Sequence, residues 1–558
     1  MLLKPNSKKH GLRIICLFSV IFFTLSGFAG CGNSPSPTDS KKQVMKEIAK
    51  NTFIFLGSSS NSINANTGTH WELRELNTNI DDETLDPVLV DLHQKQEKKK
   101  ISVGSRWDGN QPFRFKSDQV FIPASITKII TSALTLEVFK PDETLPLEIT
   151  WTENPNTEKN TATNLTLYSN GDPTWGHSDF EKDPYSRFDE IVETLKEHQI
   201  TTIRGEIHLD SFDNRMDEVH PTPGFLDEDY EACYGSQAQS FNFKKNCSSL
   251  FIIKANEAQW NDSRIAFPFI FDFIVGSYRR PTLLPIPLNS DQPFAAYRFS
   301  GNWPDGGKKE YWFERPVYNS KDWFRSILKS RLDKADIQAL PITSENDFGR
   351  TPNLQTNRKN IDSPTIENIL TVQNKNSDNF LADSFFDRLG NSWNDDTLSI
   401  EEGARAYVSD RMQSWAMKFQ NPEYFEELKF VEGSGISREN QVSARSFLSA
   451  LTYIQQQTYF ETLLNTLPVM GKDGTLKNRQ RDGPARGVVH AKTGSLKDMY
   501  QLAGYLIEKN PDEKIIRALP FVILTSTSKD RRFQARAFQD QVCAILAKKF
   551  LGTKEEGL

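Results

Sequence analysis

Hydrophobic positions follow two different periods along this chain, and the changes between them predict its organisation. From Pro123 to Leu136, apolar residues recur at helical spacing. Between residues 149 and 355, short apolar runs alternate with turn signals such as Asn170-Gly171-Asp172-Pro173, which predicts strands. Helical spacing returns near residue 360. The remaining predicted elements are strands over 488–491, 500–507 and 521–524 and a final helix over 532–550.

This order of elements predicts an α/β fold in which an antiparallel sheet is flanked by helices. Because the helix after Pro123 precedes the strand-rich block, that domain is split by a large mixed α/β insertion. We place its first part at residues 45–148, the insertion at 149–355 and its second part at 356–558. A chain of 558 residues is long enough for such a multi-part core.

Residues 1–30 have the pattern of an export signal, with basic residues followed by an apolar stretch too short to span a membrane comfortably. Small residues directly precede Cys31, so we expect lipidation of its sulfur and a linker over residues 31–44. The alternative is an ordinary secretory signal that happens to contain a cysteine. Lipidation predicts a periplasmic, membrane-anchored lipoprotein. Because Gly32 rather than Asp follows Cys31, the outer membrane of a Gram-negative cell is favoured.

Charge and cysteine usage exclude several classes of function. The net charge is −6, and loss of the four basic residues in the signal takes it to about −10, which argues against nucleic acid as a partner. The chain lacks a Cys/His cluster with metal-ligand spacing, and we expect neither a metal nor a cofactor. In an exported protein Cys233 and Cys247 can form a disulfide, but both states remain open. We expect Cys543 to be a buried apolar residue.

Ser125 and Lys128 form a Ser-x-x-Lys pattern directly after a Pro-Ala pair. Residues three apart on a helix share a face, so the Lys128 amine can reach the Ser125 hydroxyl and act as its base. Burial or a neighbouring cation, for which Lys492 is the candidate, would lower the lysine pKa as this role requires. The pattern alone is weak, because it also occurs at 326–329 and 526–529.

A second motif, Ser377-Asp378-Asn379, leads into a helical run over residues 380–388. The Ser377 hydroxyl can relay a proton to a leaving amine, and the Asn379 amide can bind Lys128 or a substrate carbonyl. A plain helix cap would explain the same residues, and a similar triplet at 344–346 shows that such patterns also arise by chance.

The third motif, Lys492-Thr493-Gly494, follows a predicted strand. Lys492 supplies positive charge and Thr493 a hydroxyl for a substrate carboxylate, while Gly494 leaves room for a peptide to pair with the strand edge. The backbone N–H groups of Ser125 and Ser495 are expected to form the oxyanion hole. The three motifs in this order resemble those of penicillin-binding proteins and β-lactamases.

Over roughly residues 85–550 the chain resembles the low-molecular-mass class C penicillin-binding proteins, the type-4 D-alanyl-D-alanine carboxypeptidase/endopeptidase family. Glu432 stands where this family usually has Asp, and Ser495 replaces the usual Thr. Neither change removes a catalytic group. Besides the three motifs, the resemblance rests on segments 171–174, 205–210, 234–246, 433–440 and 467–476.

The resemblance implies a penicillin-binding/β-lactamase-like transpeptidase domain and a serine-type D-Ala-D-Ala carboxypeptidase. Its partners would be peptidoglycan peptides, with β-lactams as covalent inhibitors acylating Ser125. Endopeptidase activity on cross-linked peptides is also expected, but the sequence does not divide the two activities. One rival reading is a β-lactamase, against which the large insertion argues. The other is a lipoprotein that binds wall peptides without turnover, against which the complete set of catalytic residues argues.

Overall fold

The computed structural model describes residues 52–56, 113–115, 119–153, 160–205, 207–254, 257–267, 269–275, 282–286, 296–303, 311–340, 355–418 and 425–552. The predicted export signal, the Cys31 lipidation site and the linker to residue 44 lie outside these ranges, as does the triplet at 344–346. Among the helices within these ranges, none combines the length and apolar character needed to cross a membrane.

The strands and helices are numbered here in chain order. The strands are β1 Thr52–Leu56, β2 Phe113–Phe115, β3 Val120–Phe121, β4 Leu147–Glu153, β5 Thr161–Ser169, β6 Thr202–Arg204, β7 Ile207–Ser211, β8 Cys247–Lys254, β9 Glu257–Trp260, β10 Phe269–Val275, β11 Thr282–Ile286, β12 Ala296–Trp303, β13 Tyr311–Pro316, β14 Gln338–Leu340, β15 Gln355–Ile361, β16 Val442–Ser443, β17 Val489–Leu496, β18 Met499–Lys509 and β19 Ile515–Ser526. The helices are α1 Thr127–Val138, α2 Ser186–Glu197, α3 Asp227–Tyr230, α4 Ser320–Lys334, α5 Ile366–Asn376, α6 Asn379–Leu389, α7 Ile400–Lys418, α8 Ala444–Gln455, α9 Phe460–Thr466 and α10 Arg532–Gly552.

An antiparallel five-stranded sheet in the order β17-β18-β19-β1-β2 has helices on both faces. Successive residues of a strand point to opposite faces, so β18 contributes to two cores. Ala503 and Tyr505 pack with α1 and the helices between residues 366 and 466, whereas Leu502 and Leu506 pack with α10. This is the sheet flanked by helices that the sequence predicts, and β17, which carries Lys492, lies at its edge.

The inserted region has its own hydrophobic core and its own sheets. Its central sheet has the order β14-β6-β5-β4-β15, with β7 also paired to β5, and two three-stranded sheets, β13-β8-β9 and β10-β12-β11, accompany it. The first and last strands of the region, β4 and β15, pair from Leu147 with Ile361 to Glu153 with Gln355. The predicted boundary at residue 149 therefore falls inside β4, and the boundary at 355 falls at the start of β15.

A disulfide joins Cys233 to Cys247, with the two Cα atoms 5.6 Å apart. Cys247 begins β8, and Cys233 begins a short 3₁₀ turn that ends at Gly235. The bond therefore ties the loop around residue 234 to a strand of the inserted region. Cys543 is a free buried thiol on α10, as expected from its apolar surroundings.

Candidate active site

Ser125 lies in a 3₁₀ turn, Ala124–Ile126, that runs directly into α1. Pro123 has a φ of −69°, which suits the start of a helical turn. Ala124 has a φ of +50°, a left-handed conformation that is uncommon for a residue with a Cβ and that recurs at functional sites. The Thr127 hydroxyl donates to the Ala124 carbonyl at 2.9 Å and so holds this turn. The Ser125 side chain is half-buried.

Two glycines let other segments approach this turn closely. A Cβ on Gly494 of β17 would lie 2.7 Å from the Pro123 carbonyl oxygen. Gly435 has a φ of +90°, and a Cβ there would lie 2.9 Å from the Ser125 backbone nitrogen and closer still to the Ala124 carbonyl. Only glycine fits such contacts without a backbone shift. The edge strand and the 433–440 segment thus both press against the residues that position Ser125.

Lys128 lies one turn after Ser125 on α1 and is fully buried. Its Nζ donates to Ser125 Oγ at 3.3 Å, to Asn379 Oδ1 at 2.7 Å and to the Ser434 carbonyl at 2.5 Å. Burial lowers the pKa of Lys128 to about 8, although the nearby carboxylates, chiefly that of Asp383, oppose the shift. Burial is the largest cause of this lowered pKa, and the repulsion between Lys128 and Lys492 that the sequence predicted lowers the pKa of Lys492. At pH 7 about a tenth of the amine is therefore neutral, far more than in an ordinary lysine, and this neutral form is the one that a general base requires.

The second motif occupies the junction between α5 and α6. Ser377 ends α5 with a φ of +59°, and Asp378 caps α6 by accepting from the Leu381 N–H at 3.2 Å. A helix cap, which was the alternative to a catalytic role for this motif, is thus present, but Asp378 forms it rather than Ser377 or Asn379. Asn379, the first residue of α6, accepts from Lys128 and donates to the Tyr234 carbonyl at 3.0 Å.

Asp378 is also held by two groups from the inserted region. His177 Nε2 lies 3.3 Å from its Oδ2, and Lys245 Nζ donates to the same oxygen at 3.0 Å. Burial raises the pKa of Asp378, but the hydrogen bond from His177 and the charge of Lys245 outweigh that effect and hold it well below its usual range. Asp378 is therefore a fixed anion between the two catalytic candidates of its motif.

The third motif lies on the edge strand β17, opposite the first two. Lys492 is fully buried, and its Nζ donates to Ser377 Oγ at 2.7 Å. Burial, followed by the charge of Lys128, lowers the pKa of Lys492 well below its ordinary value. Thr493 Oγ1 donates to Thr475 Oγ1 at 3.0 Å, and Ser495 is exposed. The structure thus brings the candidate residues of all three motifs together, while the role of Ser125 and Ser495 as an oxyanion hole stays a prediction.

In the sequence, Glu432 stands out only because the family usually has Asp at this position. In the structure, its side chain holds the backbone of residues 434–437 next to Lys128. Glu432 is 4% exposed, and its carboxylate accepts from the backbone N–H groups of Ser434 at 2.8 Å, Gly435 at 2.7 Å and Ser437 at 3.3 Å. Asn440 Nδ2 donates to it at 2.5 Å. One buried side chain thereby fixes the backbone that holds both Lys128 and the turn before Ser125.

A second buried carboxyl group, that of Asp383, hydrogen-bonds Glu432. Asp383 Oδ1 also accepts from the Gly433 N–H at 3.1 Å. Burial, followed by the charge of Glu432, raises the pKa of Asp383 well above its usual range. Sequence reasoning missed Asp383, although its spacing four residues after Asn379 on α6 places both on one helix face.

One wall beside Asn379 carries charge that the motifs did not predict. Tyr234, whose carbonyl accepts from Asn379, donates its hydroxyl to Asp229 Oδ1 at 2.9 Å. Arg438 forms an ion pair with the other oxygen of Asp229. Burial and the bond to Asp229 raise the pKa of Tyr234, so the hydroxyl stays protonated. Tyr234 and Arg438 lie in segments 234–246 and 433–440, which were two of the segments that carry the resemblance.

The two other Ser-x-x-Lys matches lie elsewhere. Ser326 is in the middle of α4 in the inserted region, and Ser526 is the last residue of β19. Across the ranges that the structure describes, His, Cys, Asp and Glu side chains do not form a group of three that could hold a metal ion.

A serine at the start of a helix, a buried lysine one turn later and a second buried lysine on an antiparallel sheet edge define a serine-type acyl-transfer site. The chain belongs to the D-Ala-D-Ala carboxypeptidase 3 (S13) family, whose model matches residues 77–549. This agrees with the family that the sequence motifs indicated.

Curated relatives match parts of the chain, and a solved structure shares its fold. The D-alanyl-D-alanine carboxypeptidase DacB of Haemophilus influenzae is 34% identical over 146 residues, which is 26% of this chain and 29% of that protein. The D-alanyl-D-alanine carboxypeptidase of an Actinomadura species is 22% identical over 464 residues, covering 76% of this chain and 78% of that protein. The crystal structure of penicillin-binding protein 4 from H. influenzae superposes with a TM-score of 0.58 at 19% identity, covering 92% of this chain and 99% of that one. This likeness extends the shared fold across the insertion.

Proposed function

We propose that this chain is a serine-type D-Ala-D-Ala carboxypeptidase that hydrolyses the stem peptides of peptidoglycan through an acyl-enzyme on Ser125. The observation that carries the proposal is the hydrogen-bonded set around that serine. Lys128, with its lowered pKa, contacts both Ser125 and Asn379, and Lys492 contacts Ser377. Family membership and the names of the curated relatives support the same substrate class.

In acylation, Ser125 Oγ attacks the carbonyl carbon of the penultimate D-Ala, and its proton passes to neutral Lys128. Backbone N–H groups of Ser125 and Ser495 stabilise the oxyanion. The C–N bond then breaks, and the proton that Lys128 took from Ser125 passes through the Ser377 hydroxyl to the leaving D-Ala amine, which returns Lys128 to its neutral form. Lys492 Nζ donates to the Ser377 oxygen during this relay. The peptide remains as an ester on Ser125.

Deacylation repeats the steps with water as the nucleophile. Lys128 takes a proton from the water as it attacks the ester carbonyl, and the Ser125 oxygen leaves and regains that proton. Lys492 and Thr493 bind the carboxylate of the terminal D-Ala through charge and a hydroxyl. A β-lactam enters by the same first step, since its ring carbonyl replaces the peptide carbonyl, and leaves an acyl group on Ser125.

The proposal is tested by measuring D-Ala release from a pentapeptide muropeptide, with Ser125→Ala as the matched variant. We expect steady release by the wild type and a loss of at least about a thousandfold in the variant, because removing a nucleophile leaves only binding and the oxyanion hole. Equal rates would refute the proposal. Labelling with fluorescent penicillin distinguishes this function from the alternatives. Stable labelling supports the peptidase, and rapid turnover of the penicillin supports a β-lactamase. Absence of labelling would support a non-catalytic binder.

Endopeptidase activity is part of the same proposal, because the two reactions share the acylation step. The test is the conversion of purified cross-linked muropeptide dimers to monomers by the wild type and by Ser125→Ala. Conversion that depends on Ser125 supports it, and intact dimers under conditions of rapid D-Ala release would restrict the enzyme to carboxypeptidase activity.

We also propose an exported, lipid-anchored protein that faces the periplasm. The signal pattern before Cys31 supports this, and the Cys233–Cys247 disulfide fits an oxidising compartment. Metabolic labelling with a fatty-acid probe should mark the wild type and not Cys31→Ala. Equal labelling of both would refute the anchor, and cell fractionation would then report the location of the unanchored protein.

A further inference from the structure

Two carboxyl groups contact each other beside Lys128, and the acylation and deacylation steps described above use neither of them. Asp383 on α6 hydrogen-bonds Glu432, which directly precedes the segment that holds Lys128 and the turn of Ser125. Two ionised carboxylates are both acceptors and cannot form a hydrogen bond with each other. The contact therefore requires one proton between them, which leaves the pair with a single negative charge.

The hydrogen-bond donors around this pair indicate which member carries the charge. Both oxygens of Glu432 accept, and the donors are the N–H groups of residues 434, 435 and 437, the Asn440 amide and the Ser434 hydroxyl. The one bond that the described residues donate to Asp383 comes from the Gly433 N–H at 3.1 Å. Donors stabilise the ionised form of a carboxyl group, so this distribution favours Glu432 as the anion and Asp383 as the carrier of the proton.

Solvent has little room to neutralise charge in this region. The side chains of Asp383, Asp387, Glu401 and Glu432 line one small cavity of about 20 Å³, which has room for about one water molecule. The Oε2 atom of Glu401 is buried and has no hydrogen-bond partner within the described part of the chain. Burial accordingly raises the pKa values of Asp383, Asp387 and Glu401. Crowded carboxyl groups without solvent retain protons, which agrees with a protonated Asp383.

The charge of the pair acts on Lys128. Among the nearby carboxyl groups, the ionised form of Asp383 would most strongly oppose the fall in the Lys128 pKa. A second negative charge would therefore stabilise the ammonium form and leave less of the neutral amine that accepts the Ser125 proton. Asp383 also fixes the backbone at Gly433, and the next residue, Ser434, accepts from Lys128 Nζ through its carbonyl. Asp383 thus bears on both the position and the protonation of the base.

Several elements place other titratable groups against the pair or against Lys128. Within the described ranges these groups are Asp378 and Asp387 on α6, Glu401 and Arg405 on α7, Glu218 and His220 before α3 and Lys492 on β17. Arg405 acts on Asp387 and Glu401. The cation that acts on Asp383 is Lys128, so the charge states of these two residues are linked.

We propose that Asp383 is a positioning residue for the acyl-transfer reaction, which donates a proton to Glu432 and keeps a single negative charge beside Lys128. The inference rests on the proposed carboxypeptidase function and deepens it. The protonated Asp383 adds one more donor to Glu432, whose segment holds Lys128 and the turn of Ser125. It also keeps a second charge away from the base, so that the amine loses its proton more readily.

The test compares Asp383→Asn with Asp383→Leu in the full chain by the rate of acylation with fluorescent penicillin across a range of pH. Asparagine keeps both contacts, since its Nδ2 can donate to Glu432 and its Oδ1 can accept from Gly433, whereas leucine keeps neither. We expect acylation by Asp383→Asn to exceed that by Asp383→Leu by about ten- to a hundredfold, because loss of these contacts displaces the segment that holds Lys128. Neither substitution changes the charge of the pair, so the pH midpoint of acylation should stay at the wild-type value in both variants.

An ionised Asp383 predicts a different result. Both substitutions would then remove a negative charge beside Lys128, destabilise its ammonium form and lower the pH midpoint by about 1–3 units. Such a shift would overturn the inference, and so would equal slowing of the two variants.

Infrared difference spectroscopy at neutral pH detects the proton directly and does not need Asp383→Leu to fold. The spectrum of the wild type minus that of Asp383→Asn should contain the carbonyl band of one protonated carboxyl group, shifted in heavy water. The matched control is Asp410→Asn on the exposed side of α7, which should lose only a carboxylate band and keep the wild-type pH midpoint. Absence of the protonated band in the Asp383→Asn difference would overturn this inference alone, because the measurement requires no turnover. Absence of D-Ala release by the wild type would instead overturn the proposed function.

Discussion

Gly435 offers a direct test of how the nucleophile is positioned, because its backbone lies against the turn before Ser125. In Gly435→Ala the new Cβ would sit 2.9 Å from the Ser125 nitrogen and closer still to the Ala124 carbonyl, at a φ of +90°. A side chain in the left-handed region costs about 1–2 kcal/mol, and overpacking of a rigid site costs about 1–3 kcal/mol more. We therefore expect the free energy of unfolding to fall by about 2–5 kcal/mol. The atoms in conflict are backbone atoms of Ala124 and Ser125, so the strain is relieved by a shift of the turn that carries Ser125 or of the segment around residue 435.

A displacement of about 1 Å at a reacting group lowers rates by about a hundredfold, so acylation by fluorescent penicillin should slow by that order in the folded fraction. The assay combines urea unfolding with the acylation rate per folded molecule. Gly403→Ala is the matched control, because its new Cβ also meets a backbone oxygen, that of Gly390 at 3.3 Å, but lies in α7, where alanine favours the helix, and the atoms nearest to it belong to Gly390 and Trp393. A Gly435→Ala protein that folds and is acylated at the wild-type rate would refute the view that this contact positions Ser125.

Three further predictions concern the base, the disulfide and the buried carboxyl pair. Because Lys128 acts as a neutral amine and its pKa is lowered to about 8, penicillin acylation should rise with pH and level off above that value, and a flat profile from about pH 6 to 9 would contradict it. Replacing Cys233 and Cys247 by alanine should lower the free energy of unfolding by about 3 kcal/mol in urea denaturation, since the bond closes a loop with a sequence separation of 14. A midpoint equal to that of the wild type would argue against this. Glu432→Gln turns one acceptor oxygen into a donor facing buried N–H groups, so we expect a loss of about 1–3 kcal/mol and slower acylation, while Glu432→Asp, which keeps both acceptors, should lose less. Equal melting temperatures of Glu432→Gln and the wild type would be the contrary result.

Local patterns determined much of the fold and the candidate residues. Helical spacing after Pro123 places Ser125 and Lys128 one turn apart, and this holds in α1 because the period of a helix is a property of its own backbone. The edge strand that carries Lys492 and the terminal helix follow from apolar runs of the right length in the same way. The order of the motifs and the resemblance identified the family from residues alone, and the family match over 77–549 agrees.

The hydrogen-bond partners and the pKa values of these residues were decided only by tertiary structure. Asn379 and Ser434, which hold Lys128, are 251 and 306 residues away from it in the chain, and no local rule brings such partners together. Loss of water around Lys128 lowers its pKa, and this depends on surrounding packing rather than on residue type. The pairing of Asp383 with Glu432 likewise required α6 and the 432–440 segment to meet. The sequence thus identified the catalytic residue types, while long-range packing set the distances between them, their pKa values and the charged residues beside them.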